Sequence, residues 1–186
     1  INEDILKLDL NEVIEGEGSP NVKIMGNLPY YITTPIIMKI LEDGVKADSI
    51  TIMMQKEVAD RIKAQPGSKA YGALSVAVQY YCTVDKVASV PRPVFVPQPN
   101  ADSIVLRLNI RKEKAVQVED EKLFFDCVKA GFGQRRKTLL NSLQNVKGIT
   151  KEIVVDSLAA AGIESSRRAE TLNLEEFASV ANEVKK

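Results

Sequence analysis

Four consecutive residues, Asn27-Leu28-Pro29-Tyr30, carry the chemistry this sequence offers most plainly. Asn27 brings a side-chain carbonyl oxygen. Pro29 has a fixed φ and keeps the residue before it extended, so the Leu28 carbonyl can stand as a second rigid acceptor. Tyr30 brings a ring face for stacking. Two acceptors beside one ring suit a flat base with an exocyclic amine, such as a purine. The lone pair of that amine is delocalised into its ring, which makes it a poor nucleophile. Acceptors on both N–H bonds favour a pyramidal nitrogen and release the lone pair, a stabilisation that acts in the transition state. A base that leaves its stack to reach such a pocket needs an aromatic surface in exchange. The same four residues also suit a plain strand-to-helix turn that Pro29 and Tyr30 merely shape and pack.

Strands and helices must hold this tip in place. Residues 22–25 form a short apolar strand before it, and Thr33-Thr34-Pro35 starts a helix after it, with a threonine cap and proline in the first turn. Ile36, Ile37, Ile40 and Leu41 share one face of that helix, and Gly44 closes it. Ser49–Gln55 reads as a strand buried on both faces, Lys56–Lys63 as a short helix, and Ala73–Tyr81 as another. Residues 83–90 and 103–110 read as two strands joined by a proline-rich loop, an antiparallel edge hairpin. Upstream, residues 1–10 read as the end of a strand and a loop. Asp4 then sits where an open α/β sheet binds ligands, or is simply a solvated turn acid. Glu15-Gly16-Glu17-Gly18 is not read as a nucleotide loop, because Ser19-Pro20-Asn21 follows as a turn with no helix to face a phosphate. Alternating strands and helices argue an α/β sheet.

The proline-rich loop, Pro91 to Pro99, carries Phe95 in its middle. An aromatic on a stiff loop suits a second wall opposite Tyr30, or a cap on the edge of the core. After residue 112 the character changes. A polar linker, residues 113–120, leads to helical patterns at 122–132, 134–143, 151–161 and 174–184, a small all-helical domain spanning 113–186 after an α/β domain spanning 1–112. Gln134-Arg135-Arg136-Lys137-Thr138 places three cations at the start of the second of these helices, where they oppose its dipole. Phosphate would account for them, and so would a solvated face. Arg167-Arg168 is a weaker pair.

Composition excludes several classes. The chain has 186 residues, 45% hydrophobic and 27% charged, with net charge +0, so whole-chain charge gives no argument for nucleic acid and any RNA site must be a local patch. It has no histidine, and its two cysteines, Cys82 and Cys127, stand far apart, which rules out a His-based triad and a His/Cys zinc site and leaves a reducing cytoplasm as the default. No stretch is long enough to span a membrane.

Several stretches together resemble KsgA-type ribosomal RNA adenine dimethyltransferases, kin to the erythromycin-resistance methyltransferases. They are Asn2-Glu3-Asp4, Gly26-Asn27-Leu28-Pro29-Tyr30, Gln55-Lys56-Glu57-Val58, Lys69-Ala70-Tyr71-Gly72, the run from Phe95 through Pro97-Gln98-Pro99 to Asp102-Ser103, Gln134-Arg135-Arg136-Lys137-Thr138 and Arg168-Ala169-Glu170. Each is weak alone, but their order is specific, and they run nearly end to end.

The resemblance implies a partial Rossmann-like class I methyltransferase sheet followed by the helical domain. It implies transfer of methyl groups from S-adenosyl-L-methionine to N6 of two adjacent adenines near the 3′ end of small-subunit (16S) rRNA, during ribosome biogenesis in the cytoplasm. Asp4 matches a residue that contacts the cofactor's adenine, and Asn27 one near both cofactor and target amine. Asn27, Leu28, Tyr30 and Phe95 are the implied catalytic set; Lys69, Arg135, Arg136 and Lys137 are the implied RNA contacts. The implied partner is rRNA in the immature subunit, with no metal, no membrane and a monomeric full-length enzyme.

The sequence also departs from the family pattern. The glycine-rich cofactor loop, the acid on the second strand and an N-terminal RNA-contacting segment all lie upstream of Asp4 in the family and are not in this sequence. The expectation is that about the first third of such an enzyme is missing, that this chain alone neither binds the cofactor nor works, and that an internal sheet edge is left exposed. The alternative is a non-catalytic rRNA- or ribosome-binding module. A DNA adenine methyltransferase is disfavoured by Leu28, where a second proline is commoner, and by the basic helical tail.

Overall fold

The computed structural model describes residues 1–18 and 21–185; the expected turn at Ser19-Pro20 lies outside them. In chain order the elements are α1 (Leu10–Glu17), β1 (Lys23–Asn27), α2 (Thr33–Glu42), β2 (Ser49–Gln55), α3 (Lys56–Lys63), α4 (Ala73–Tyr81), β3 (Cys82–Val90), β4 (Ser103–Ile110), α5 (Glu121–Gly133), α6 (Leu139–Ser142), α7 (Lys151–Ala160) and α8 (Leu174–Lys185), with short 3-10 turns at Arg92–Val94, Leu143–Asn145 and Ala169–Thr171. They form two compact units: Ile1–Lys63 with Tyr81–Glu113, and Ala64–Tyr80 with Lys114–Lys186. Residues 64–80 therefore pack with the helices of the 113–186 stretch.

The first unit is built on a four-stranded sheet in the order β1-β2-β4-β3. β1 and β2 are parallel; β2–β4 and β4–β3 are antiparallel. Register decides what is buried. Ile50, Ile52 and Met54 stand opposite Leu108, Leu106 and Ile104, and all six are buried. Each fully buried side chain of this size is worth about 1.5–3 kcal/mol. Leu106→Ala, at the centre of that face, would cost about 2–5 kcal/mol. β2 is not buried on both faces, as its apolar run suggested: Thr51, Met53 and Gln55, which point the other way, are half-buried. β1 lies at the edge, and Met25 in its middle is 79% exposed.

Two elements differ from the sequence expectation. Residues 1–8 form no strand; they make a turn that leads into α1. Asp9 caps α1 by accepting from the Asn11 and Glu12 amides, and Gly18 ends it at φ 63. The two glycines masked the helix from a reading by pattern. At α2, Thr33 is not the cap. Ile32 is, and Thr33 Oγ1 instead donates back to the Pro29 carbonyl at 3.1 Å.

In the second unit, Tyr80 of α4 stacks on Phe124 at 5.1 Å and meets the edge of Phe125 at 5.4 Å. Its hydroxyl donates to Glu121 Oε2, and burial with that carboxylate pushes its pKa well up. Gly131 lets the chain pack closely: a Cβ there would sit 2.9 Å from Ala169 Cβ. α8 begins with a reciprocal cap in which Asn173 Oδ1 accepts from the Glu176 amide and Glu176 Oε2 accepts from the Asn173 amide. Arg167 clamps the same carboxylate, which holds the Glu176 carboxyl below the usual range. No described helix is long and apolar enough to cross a membrane.

Candidate functional site

The sheet brings three separated segments to one end. Because β1 and β2 are parallel while β4 runs against β2, and β3 against β4, the carboxyl ends of β1, β2 and β3 meet the amino end of β4. Asn27 pairs with Met53, and Ser103 stands between Gln55 and Val90. Residues 27–33, the start of α3 and the loop 91–102 therefore gather there, and with them Asn27, Leu28, Tyr30 and Phe95.

The turn after β1 sorts its acceptors. The Pro29 carbonyl is saturated: it takes the Ile32 amide at 3.1 Å and the Thr33 hydroxyl at 3.1 Å. The Leu28 carbonyl and the Asn27 side chain accept from no group among the described residues, and Asn27 is exposed. Two neighbouring acceptors thus remain open on a backbone fixed from both sides. Gly26 contributes by its missing side chain, since a Cβ there would stand 3.0 Å from Leu28 Cδ2.

The two aromatics are half-buried and differently anchored. Tyr30 Oη lies 2.8 Å from Ser103 Oγ, and Ser103 is 0% exposed. Phe95 donates its amide to the Arg92 carbonyl at 3.2 Å, and the Arg92 amide donates to Asp102 Oδ1 at 2.9 Å. The Asp102 carbonyl in turn accepts from the Lys56 amide at 2.9 Å, joining the loop to the end of β2. Neither Asp102 nor Ser103 was singled out as a site residue on sequence grounds. The signal available was their place at the end of the proline-rich run.

Asp4 is exposed in the turn before α1. Its Oδ1 accepts from the Leu6 amide at 3.0 Å and its carbonyl from the Lys7 and Leu8 amides, so one carboxylate oxygen serves the turn and Oδ2 is free among the described residues.

The cations belong to the helical unit. Arg135, Arg136 and Lys137 are not in the first turn of a long helix, as the 134–143 pattern suggested. α5 runs on to Gly133, a turn follows, and α6 begins only at Leu139. The cations therefore follow the carboxyl end of α5, where the dipole favours them, and the conflict read from the sequence disappears. They are exposed and, with Gly133 and Gln134, line a cavity of about 520 Å³. Arg135 is engaged with the backbone carbonyls of Lys69 and Tyr71. The side chains of Arg136, Lys137 and Lys69 make no ion pair or hydrogen bond among the described residues. Arg167 is committed to Glu176 and to the Thr171 carbonyl.

Comparison with known proteins gives the fold and the family. Among solved structures, a dimethyladenosine transferase from Plasmodium falciparum superposes with a TM-score of 0.76 at 23% identity, covering 97% of this chain and 70% of that one. The 23S rRNA methyltransferase ErmE superposes at 0.65 with 21% identity, covering 100% of this chain and 71% of that one. These likenesses show the fold: a partial Rossmann-like methyltransferase sheet with helices after it. Among curated relatives, ribosomal RNA small subunit methyltransferase A of Clostridioides difficile is 52% identical over 184 residues, 98% of this chain and 63% of that protein. The same-named protein of Alkaliphilus metalliredigens is 53% identical over 187 residues, 99% of this chain and 65% of the relative. The chain thus spans less than two thirds of the length of these relatives. The family model for ribosomal RNA adenine dimethylase matches residues 1–186, and the chain belongs to that family.

Proposed function

We propose that this chain is the target-base and RNA-holding part of an enzyme that dimethylates N6 of two adjacent adenines near the 3′ end of small-subunit rRNA, using S-adenosyl-L-methionine. The observation that carries this reading is the pair of open acceptors, Asn27 and the Leu28 carbonyl, on a turn whose next carbonyl is already saturated. When bound, the cofactor would supply an electrophilic methyl group, whose bond to the sulfonium sulfur breaks as a neutral thioether leaves. The polar groups present fit contacts to it: the free Asp4 oxygen can accept from an amine or hydroxyl, and the Asn27 amide offers a donor as well as an acceptor.

This chain's residues act on the adenine. Tyr30 and Phe95 offer ring faces to a base drawn out of its stack. In the first transfer Asn27 and Leu28 accept hydrogen bonds from the two N6–H groups, in the second one of them accepts from the single N–H left, and the nitrogen lone pair is turned toward the methyl carbon. As the N–C bond forms, N6 becomes positively charged, and the same acceptors stabilise it until a proton leaves to water. Lys69, Arg136 and Lys137 hold phosphates of the surrounding RNA, with the immature subunit as substrate and the cytoplasm as the place of action.

The test uses the full open reading frame that contains this chain, with isolated immature small subunits and isotopically labelled methyl donor. Nuclease digestion and mass spectrometry should find dimethyladenosine at adjacent positions near the rRNA 3′ end. Tight RNA binding without methyl transfer would favour a non-catalytic binding module instead.

A further inference from the structure

We infer that the dipeptide Asp102-Ser103 is a positioning hub that sets both aromatic walls of the candidate pocket, Ser103 through Tyr30 and Asp102 through the loop bearing Phe95. The inference rests on the methyltransferase reading for its functional consequence, but its geometry stands independently. Tyr30 lies just past β1, yet its hydroxyl is 2.8 Å from Ser103 Oγ on β4, so the ring reaches past the end of β2 to be tied. Ser103 sits on a central strand, paired on both sides by Gln55 and Val90, and is wholly buried. Its backbone is therefore among the least mobile at this end of the sheet. A stacking ring needs only its face, so the Tyr30 hydroxyl is free to serve as an anchor.

Asp102 acts one residue earlier, through both its groups. Its side chain takes the Arg92 amide at 2.9 Å, and the Arg92 carbonyl takes the Phe95 amide at 3.2 Å, which fixes the tight turn that presents Phe95. Its carbonyl takes the Lys56 amide, so the same residue is tied to the end of β2. Two adjacent residues thus connect three chain segments. Both act through the rings, and the spacing of the two ring faces is what they control.

The experiment is a pair of cycles in the full open reading frame. Ser103→Ala and Tyr30→Phe delete the same hydrogen bond from opposite sides. Each should lower single-turnover methyl transfer by roughly 10-fold with RNA affinity unchanged, and the double variant should be no worse than either single. Asp102→Ala should produce a similar loss and faster amide exchange at Arg92 and Phe95, whereas Asp102→Asn, which keeps an acceptor oxygen, should restore most of the rate. An independent readout needs no activity: with labelled tyrosine, the Tyr30 hydroxyl proton should exchange with solvent faster in Ser103→Ala than in the wild type. Additive losses in the Tyr30–Ser103 cycle, or an unchanged hydroxyl exchange rate, would overturn the inference while leaving the methyltransferase reading intact. Full methyl transfer by Asn27→Ala and Tyr30→Ala would overturn the reading itself and this inference with it. Thermal unfolding of each variant separates loss of position from loss of fold.

Discussion

One nitrogen of Arg135, Nη2, donates both to the Lys69 carbonyl at 3.0 Å and to the Tyr71 carbonyl at 3.1 Å. The arginine most easily read as an RNA contact is thus also a clasp on the loop that carries Lys69. Tyr71, 1% exposed and packed edge-on to Phe132 at 5.7 Å, anchors the other side of that loop. Its phenol is pushed up to about 12 by burial, so it stays neutral.

The basic cluster should therefore divide under mutation. Arg136→Ala with Lys137→Ala should weaken RNA binding and flatten its salt dependence by about 1.4 units of slope or less, as expected for two lost phosphate contacts on single-stranded RNA. Arg135→Ala should instead speed amide exchange at residues 68–72. Arg135→Lys should not restore protection, because the shorter side chain does not carry its nitrogen to where Nη2 stands. Affinity titrations across salt and exchange mass spectrometry read the two effects separately. An Arg135→Ala protein with a flattened slope and unchanged exchange would make Arg135 a phosphate contact only.

Asn27→Ala removes one of the two open acceptors. Methyl transfer by the full open reading frame should slow by roughly 10²-fold or more while RNA affinity barely changes. The check is a single-turnover rate measured on prebound RNA. A normal rate with weakened RNA binding would make Asn27 a binding residue.

Phe95→Ala removes one ring face, worth about 1–3 kcal/mol of stacking. The loss should fall on the flipped-base state, so catalysis should drop far more than overall rRNA affinity. Full activity in this variant would assign Phe95 to packing at the edge of the sheet.

Glu176→Gln tests the ion pair and cap at the start of α8. The Arg167 hydrogen bond holds the folded carboxyl below its unfolded value, so its stabilisation is present above about pH 4.3 and is lost as pH falls through the folded value. The variant should be less stable than wild type at pH 7 by about 1 kcal/mol, a figure kept small because the pair is partly solvated. The gap should narrow in acid. Thermal melts at pH 7 and in acid decide it, and an equal gap at both would overturn the ion pair as its cause.

Much of the α/β unit was legible because its strands and helices carry their own periodicity. Ile36, Ile37, Ile40 and Leu41 mark one helix face, and the β3–β4 hairpin follows from β-branched runs around a proline-rich loop. What was not legible depends on hydrogen bonds that propensity does not encode. Thr33 looked like a cap and instead bonds back to Pro29; α1 hid behind Gly16 and Gly18; and the 134–143 pattern concealed a break, because Arg135 bonds to the 69–71 loop rather than entering a helix. Asp102 and Ser103 carry no periodic signal, and only the pairing of β4 brings them to Tyr30 and Arg92.

The open acceptors on Asn27 and Leu28 have a further consequence, which concerns choice rather than rate. Under the proposed reading, a purine with an oxo group at position 6 would present lone pairs to the Leu28 carbonyl, which would lose its water with nothing in return. A site built around hydrogen bonds rejects an analogue that cannot make them by several orders of magnitude. The Asn27 amide can turn its own N–H toward such an oxygen, but the Leu28 carbonyl stays an acceptor, because the turn is held by Ile32 and Thr33 at the Pro29 carbonyl. The backbone acceptor that helps to activate an adenine amine would thus also disfavour guanine and inosine in the same seat.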